Sequence, residues 1–464
     1  MLTASRRPLD YASPVPVAPA VPARTAPITP RDSFIDVLRV FAIVTVVALH
    51  WLMPALSYDD GLLSTGNTLA APGAWAVTWV AQVMPLVFFA GGAAAMFSIR
   101  DRRGTSWHHR WRATRLRRLV WPVLPLIMVW LPLPHLLLAM GVPADPVDTA
   151  SRLAGRLLWF LALYILLTAL TPVLVRAHRR WRGREILAMA AGAVAVDVVR
   201  FGVLDGADYV GFLNVVAVWG TVYQLGIAYA AGSLPWLRGR RAAALAGLGL
   251  VTVALAVVAG PYPASMIGMP GEPVSNMNPP TAVLLAVSAL QLGLAFALRP
   301  AVERWAAQPP VATGLAWLSA RLMTIYLWHM PALAVVGGVA VVVLGWQTPD
   351  LLSAGWRTQI PIWLAALTTV LAGLVRLFGP LEHPKRSASS PGRRRSLLAT
   401  VLIGLGLLSL TVSGFSPELT FHPAGPVAAG LVLALGLALV GVAPPTNVQL
   451  TGSPQRQPRE KVEA

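Results

Sequence analysis

Three ionisable residues stand inside an apolar stretch that runs from Phe34 to Leu56, FIDVLRVFAIVTVVALHWLMPAL: Asp36, Arg39 and His50. The stretch is long enough to cross a bilayer, and ionisable groups at membrane depth cost several kcal/mol each, so their presence calls for a reason. Ten residues separate Arg39 from His50. Eleven steps of about 100° bring the two side chains to within about 20° of one helix face, about 16 Å apart in depth. Two readings of the pair stand side by side. Arg39 snorkels to the headgroups while His50 hydrogen-bonds a neighbouring helix, or the histidine is a base or nucleophile held at depth.

Other segments carry polar or small residues at suggestive spacing. Arg112, Arg115, Arg117 and Arg118 crowd the approach to a later apolar span. Such a cluster is ordinary topology, yet arginine's fork of donors also suits phosphate oxygens. Gln82-Val-Met-Pro85-Leu-Val-Phe88-Phe89-Ala-Gly91-Gly92 ends in small residues that let helices approach closely. Leu158-Trp159-Phe160-Leu161 precedes Tyr164 and Thr171-Pro172. Tyr326-Leu-Trp-His329 lies inside a further span, where His329 is equally a core histidine. Asp197 and Arg200 stand three apart, a spacing at which they can neutralise each other.

Asp36-x-x-Arg39 followed by His50 resembles the first-helix signature of the acyltransferase-3 family of integral-membrane O-acyltransferases in bacteria. Arg115-Leu-Arg-Arg118 resembles its Arg-x-x-Arg motif, and Tyr326-Leu-Trp-His329 its late Tyr-Leu-x-His pattern. The second-helix segment is similar too, although Ser-Gly is more usual where Gly91-Gly92 stands. The loop Gly260-Pro-Tyr262-Pro-Ala-Ser265, with Ser275-Asn276-Met277, is similar to one bacterial branch. The matches run across roughly residues 30 to 385.

The resemblance implies transfer of an acyl group, acetyl first among them, from cytoplasmic acyl-CoA to a hydroxyl of an envelope glycan, glycolipid or small metabolite. His50, Arg39 and Asp36 would be the catalytic set, and Arg115, Arg118 and Arg112 would take the phosphates of acyl-CoA. No metal is expected. His50 could remove the hydroxyl proton or carry the acyl group as an acyl-imidazole. Asp36 is no triad partner for His50, because fourteen residues span about 21 Å of helix. An orienting group must come from another helix, and His329, Tyr326 and Asp197 are the candidates. The competing class is a transporter or flippase whose intramembrane charges line a path.

These residues need a membrane scaffold, and the whole chain supplies one. Of 464 residues, 56% are hydrophobic and 12% charged, about half the charge of a soluble domain. Mean hydropathy is +0.64. Apolar spans recur at 35–56, 75–98, 119–140, 154–175, 186–204, 210–231, 241–260, 280–298, 318–344, 358–378, 397–414 and 425–443. The expected fold is all-α, a polytopic bundle of about twelve spans. A tail at 1–33 precedes an acyltransferase core at 34–382. A basic linker at 383–396, a transmembrane hairpin at 397–443 and a second tail at 444–464 complete the chain. Ser5-Arg6-Arg7 is not read as an export signal, since the apolar run starts too far away. No internal repeat of the secondary-transporter kind is evident.

The net charge of +18 is almost all arginine and falls in alternate loops, so it reads as topology, not nucleic-acid binding. Basic loops follow the second, fourth and sixth spans, whereas the loop after the first holds Asp59 and Asp60 and that at 261–280 only Glu272. The expected location is the bacterial inner membrane, with both termini cytoplasmic. The absence of cysteine excludes disulfides and a thiolate relay and leaves a clean background for labelling. Single cysteines at Thr105 and Ser389 are expected to react with an impermeant thiol reagent only from the cytoplasmic side. Those at Ser64 and Ser265 should react only from outside; reversed labelling at position 105 overturns the orientation.

Overall fold

The structure is a computed structural model that describes residues 32–99, 107–382 and 391–441. Both expected tails fall outside these residues almost entirely, as does most of the basic linker. The elements in chain order are α1 (Ser33–Leu52), β1 (Pro54–Asp59), β2 (Leu62–Asn67), α2 (Val77–Ala81), α3 (Met84–Phe97), α4 (His108–Val120), α5 (Val123–Trp130) and α6 (Leu133–Ala139). They continue with α7 (Ala144–Arg156), α8 (Leu158–Trp181), α9 (Arg184–Gly202), α10 (Asp208–Gly211), α11 (Asn214–Ala230) and α12 (Arg240–Ala259). Last come α13 (Val283–Ala306), α14 (Pro309–Ser319), α15 (Leu322–Gly337), α16 (Ala354–Phe378), α17 (Arg393–Ser413) and α18 (Pro426–Leu439).

Among the described residues, ten segments are long and apolar enough to cross a bilayer, against the twelve expected. The missing two are physically marginal. Helix α9 exists, but Arg184, Glu185, Asp197 and Arg200 dilute its apolar content. Helix α18 has 14 residues, about 21 Å of rise against about 30 Å of hydrocarbon. Several spans are composite: α4, α5 and α6 follow one another as His108–Ala139, and α7 runs into α8 as Ala144–Trp181. The architecture is an all-α polytopic bundle, with one small sheet.

That sheet corrects the first expected span. Helix α1 stops at Leu52, and the chain turns at once into an antiparallel hairpin pairing Pro54 with Asn67 and Asp59 with Leu62. Asp60 and Gly61 form its two-residue turn with φ of 51° and 83°, as a type I′ loop requires. A lone hairpin is marginal in water, so its anchors matter. Leu56 and the residue Thr348 are joined twice: the Leu56 N–H donates to Thr348 Oγ1 and the Thr348 N–H to the Leu56 carbonyl, both at 2.9 Å. The Leu63 N–H donates to Asp145 Oδ2 at 2.8 Å.

Helix packing relies on missing side chains at the centre. A Cβ on Gly92 of α3 would run into the Tyr223 carbonyl of α11, and one on Gly226 into the Phe89 carbonyl. The two backbones touch there, as small-residue seams in membranes allow. One residue earlier, a Cβ on Gly91 would lie 2.6 Å from the Tyr164 ring, so glycine suits this position. A buried aromatic series runs from Trp219 through Phe88 and Phe160 to Tyr326, with centroid distances of 5.0, 5.3 and 5.4 Å.

Polar contacts staple the rest. His178 on α8 bonds Glu185 Oε1 at 2.7 Å and Ser233 Oγ at 2.9 Å, joining α8, α9 and the end of α11. The loop 261–282 is held by Asn276, whose Nδ2 donates to the Pro263 and Ser265 carbonyls. Ser265 is itself buried, so a cysteine there would label poorly; Glu272, exposed in the same loop, is the better labelling position. The C-terminal hairpin docks on α4, α7 and α8. The Phe415 N–H donates to the Ser151 carbonyl at 2.9 Å, and Ser416 Oγ to Asp148 at 2.5 Å.

The Gly92–Gly226 contact yields a stability prediction. Gly226→Val overfills it and should cost about 1–3 kcal/mol, read as a lower unfolding temperature of the purified protein by tryptophan fluorescence. Gly192→Ala, on α9 with nothing within 4 Å of the added Cβ, should leave that temperature unchanged or slightly higher.

Candidate active site

His50 sits in the last turn of α1, and His329 lies midway along α15. The fold brings them together: His329 Nε2 is 3.4 Å from His50 Nδ1, with ring centroids 5.2 Å apart. His329 Nδ1 is 2.6 Å from the Tyr326 carbonyl, which can only accept, so this nitrogen carries the hydrogen. In the neutral ring Nε2 then presents a lone pair. His50 Nδ1 lies 2.8 Å from the Val46 carbonyl and is likewise assigned as the protonated nitrogen. Its hydrogen is shared between a short bond to Val46 and the longer contact to His329. The neutral His50 therefore has its basic nitrogen, Nε2, with no hydrogen-bond partner among the described residues.

Tryptophans fix the pair. Trp51 Nε1 donates to the His329 carbonyl at 3.0 Å, so the residue after one histidine holds the backbone of the other. Trp363 on α16 donates to the Trp51 carbonyl at 2.9 Å. The Trp346 ring stacks on Trp363 at 4.8 Å and its N–H reaches Gln359 at 2.6 Å. Trp328, beside His329, stacks on Phe378 at 3.8 Å. Buried indole N–H groups need acceptors, and here they tie α1, α15 and α16 into one frame. Sequence reasoning passed over these residues. The signal available was a tryptophan adjacent to each histidine, His50-Trp51 and Trp328-His329.

The remaining candidates separate. Tyr326 contributes its carbonyl to His329, while its hydroxyl donates to the Leu157 carbonyl at 2.7 Å. Asp197 is engaged elsewhere, accepting from Asn214 at 2.7 Å, Tyr262 at 3.0 Å and the Ala282 N–H at 2.6 Å. Its neighbour Arg200 bonds Asp208 at 2.6 Å, so the carboxylate that pairs with Arg200 comes from α10. Asp36 and Arg39 approach to 3.8 Å at the opposite end of α1 from His50.

The three arginines proposed for phosphate differ in commitment. Arg115 donates to the Ala94 carbonyl at 3.0 Å and lies over the Trp111 ring. Arg118 is exposed. Arg112 is buried, with its Nε unpartnered.

The geometry is that of a multi-pass helical bundle holding a paired histidine, with no partner at His50 Nε2 among the described residues. The acyltransferase-domain model of the acyltransferase-3 family matches residues 32–375, well over half of the chain. The chain belongs to that family and is a membrane acyltransferase. Neither a curated protein nor a solved structure matches it. The match ends before α17, so the C-terminal hairpin lies beyond the family domain.

The separate duties of Tyr326 are testable. Tyr326→Phe removes the hydroxyl bonded to Leu157 and keeps the carbonyl that serves His329. It should lower stability by about 1 kcal/mol yet keep acyl transfer within about twofold of the parent. A large loss of transfer with normal folding would instead place the hydroxyl in the chemistry.

Proposed function

We propose that this enzyme is an O-acyltransferase of the bacterial inner membrane that moves an acyl group, acetyl first, from cytoplasmic acyl-CoA to a hydroxylated acceptor. The acceptor class is an envelope glycan, glycolipid or small metabolite. Both termini are taken as cytoplasmic. His50 is the group that touches the reacting atoms, and His329 positions it. The observation that carries this reading is the His50–His329 contact, which favours the tautomer with a basic Nε2.

In the step proposed, His50 Nε2 removes the acceptor hydroxyl proton as the oxygen attacks the thioester carbonyl. The C–S bond breaks, and the coenzyme thiolate leaves with the proton returned from the imidazolium. During attack the charge on His50 is supported through its Nδ1–H by the Val46 carbonyl and the His329 lone pair. This is the role an orienting acceptor plays beside any catalytic histidine, filled here by a second imidazole instead of a carboxylate. A route through an N-acylated His50 uses the same free nitrogen. Arg39 and the arginines of α4 supply cations suited to the donor's phosphates. Asp36 balances Arg39.

The test is radiolabelled acyl transfer in proteoliposomes, with membrane yield followed by blot. His50→Ala and His50→Gln should accumulate normally and lose about 10²–10⁴-fold in turnover. His329→Ala should lower kcat by about 10–100-fold with little change in donor KM, because it loosens the base without touching donor. Parent-like transfer by a well-expressed His50→Ala variant would remove His50 from the chemistry. Label moved across the bilayer without acyl-CoA would favour the transporter reading.

A further inference from the structure

Helices α4, α8 and α17 pack against one another, and their basic ends meet: the start of α4, the end of α8 and the start of α17. Arg112, one turn into α4, is 92% buried as judged from its 8% exposure, and it makes no hydrogen bond or ion pair among the described residues. A second arginine stands near it. Arg393, the first residue of α17, is close enough to act electrostatically on Arg112 and on His108, and Arg176 of α8 acts on His108 too. No carboxylate pairs with Arg112, Arg176 or Arg393 among the described residues. One turn after Arg393, on the same face of α17, Ser396 is fully buried with its hydroxyl unpartnered.

A cluster that served only to keep a loop on one side of the membrane would hold its charges in water. Arg112 has its Nε sealed from water without a partner among the described residues and has Arg393 near it, an arrangement that an anion would stabilise. Two long helices, α4 and α17, also direct their N-terminal N–H groups and positive dipole ends toward this corner. A buried guanidinium, a buried hydroxyl donor, two peripheral arginines and a histidine together match a multiply charged tetrahedral oxyanion better than a single carboxylate. Arg393 and Ser396 lie outside the matched acyltransferase domain, so the domain alone does not complete the corner.

We propose that Arg112 and Ser396, ringed by Arg393, Arg176 and His108, form a phosphate-binding site at the seam between the acyltransferase domain and its C-terminal hairpin. The phosphate has two chemically plausible sources: the nucleotide end of a coenzyme A donor, or the headgroup of an anionic phospholipid. Only the first rests on the acyl-CoA reading. In that case the hairpin is part of the donor machinery; in the second it holds a structural lipid.

The experiment measures binding, so it stands apart from acyl transfer and from the fate of His50. Full-length protein in phosphatidylcholine nanodiscs is titrated with coenzyme A and with dephospho-coenzyme A, and its unfolding temperature is compared in nanodiscs with and without phosphatidylglycerol. The variants are Arg393→Gln and Ser396→Ala, with Arg394→Gln as a control that removes the same charge from a different face. Arg393 is exposed and has no ion pair among the described residues, so its replacement should leave folding intact.

For a donor site, Arg393→Gln and Ser396→Ala weaken coenzyme A binding by about tenfold and about threefold respectively, while Arg394→Gln stays within about twofold. For a lipid site, coenzyme A affinity is unchanged and the stabilisation by phosphatidylglycerol is lost in the first two variants only. The proposal is overturned if Arg393→Gln and Arg394→Gln behave alike, or if neither probe distinguishes the variants from the parent.

Discussion

An N–H group in a bilayer is costly without an acceptor, and the donors around the histidine pair are arranged by that demand. The imidazole N–H of His50 goes to Val46 and toward His329, and that of His329 goes to Tyr326. The indole N–H of Trp51 returns to the His329 carbonyl, and that of Trp363 to Trp51. These contacts use up the donors around the histidine pair and leave one lone pair, on His50, without a partner among the described residues. Satisfying the polar groups and exposing the base are one arrangement. A substitution that frees any of these donors would therefore disturb the tautomer as well as the packing.

The scaffold keeps α1 against α3, α13 and α15, with α16 closing over the tryptophans. Close backbone contact between α3 and α11 at Gly92 and Gly226 sets how deeply α3 sits, and the aromatic series from Trp219 to Tyr326 carries that packing across to α15. The interior is thus closely packed in the region that holds the pair. The cations lie elsewhere, at helix ends, and α17 from beyond the family domain adds to them.

Most of the membrane architecture was legible in the sequence because hydrocarbon thickness imposes length and apolarity on each span. The Asp36–Arg39 pair was legible too, being local to one helix turn. Contacts between helices were not. Among three candidate partners for His50, only His329 reaches it; Asp197 had the same standing in sequence but is occupied by Asn214, Tyr262 and Ala282. Nothing in periodicity distinguishes these outcomes, since they depend on which helix faces which. The β-hairpin was hidden for another reason. Its first strand, Pro54 to Asp59, continues the apolar run of α1, and the Asp60-Gly61 turn signal was outweighed by that run.

That hairpin begins four residues after His50, at the same end of α1. Its first strand is bonded twice to Thr348 and its second once to Asp145, so its position is set by both α7 and the segment between α15 and α16. The end of α1 that carries His50 is therefore moored from two sides. A helix moored at that end by two distant parts of the chain cannot slide along its own axis without breaking those bonds, so the depth of His50 is set from outside the helix that carries it.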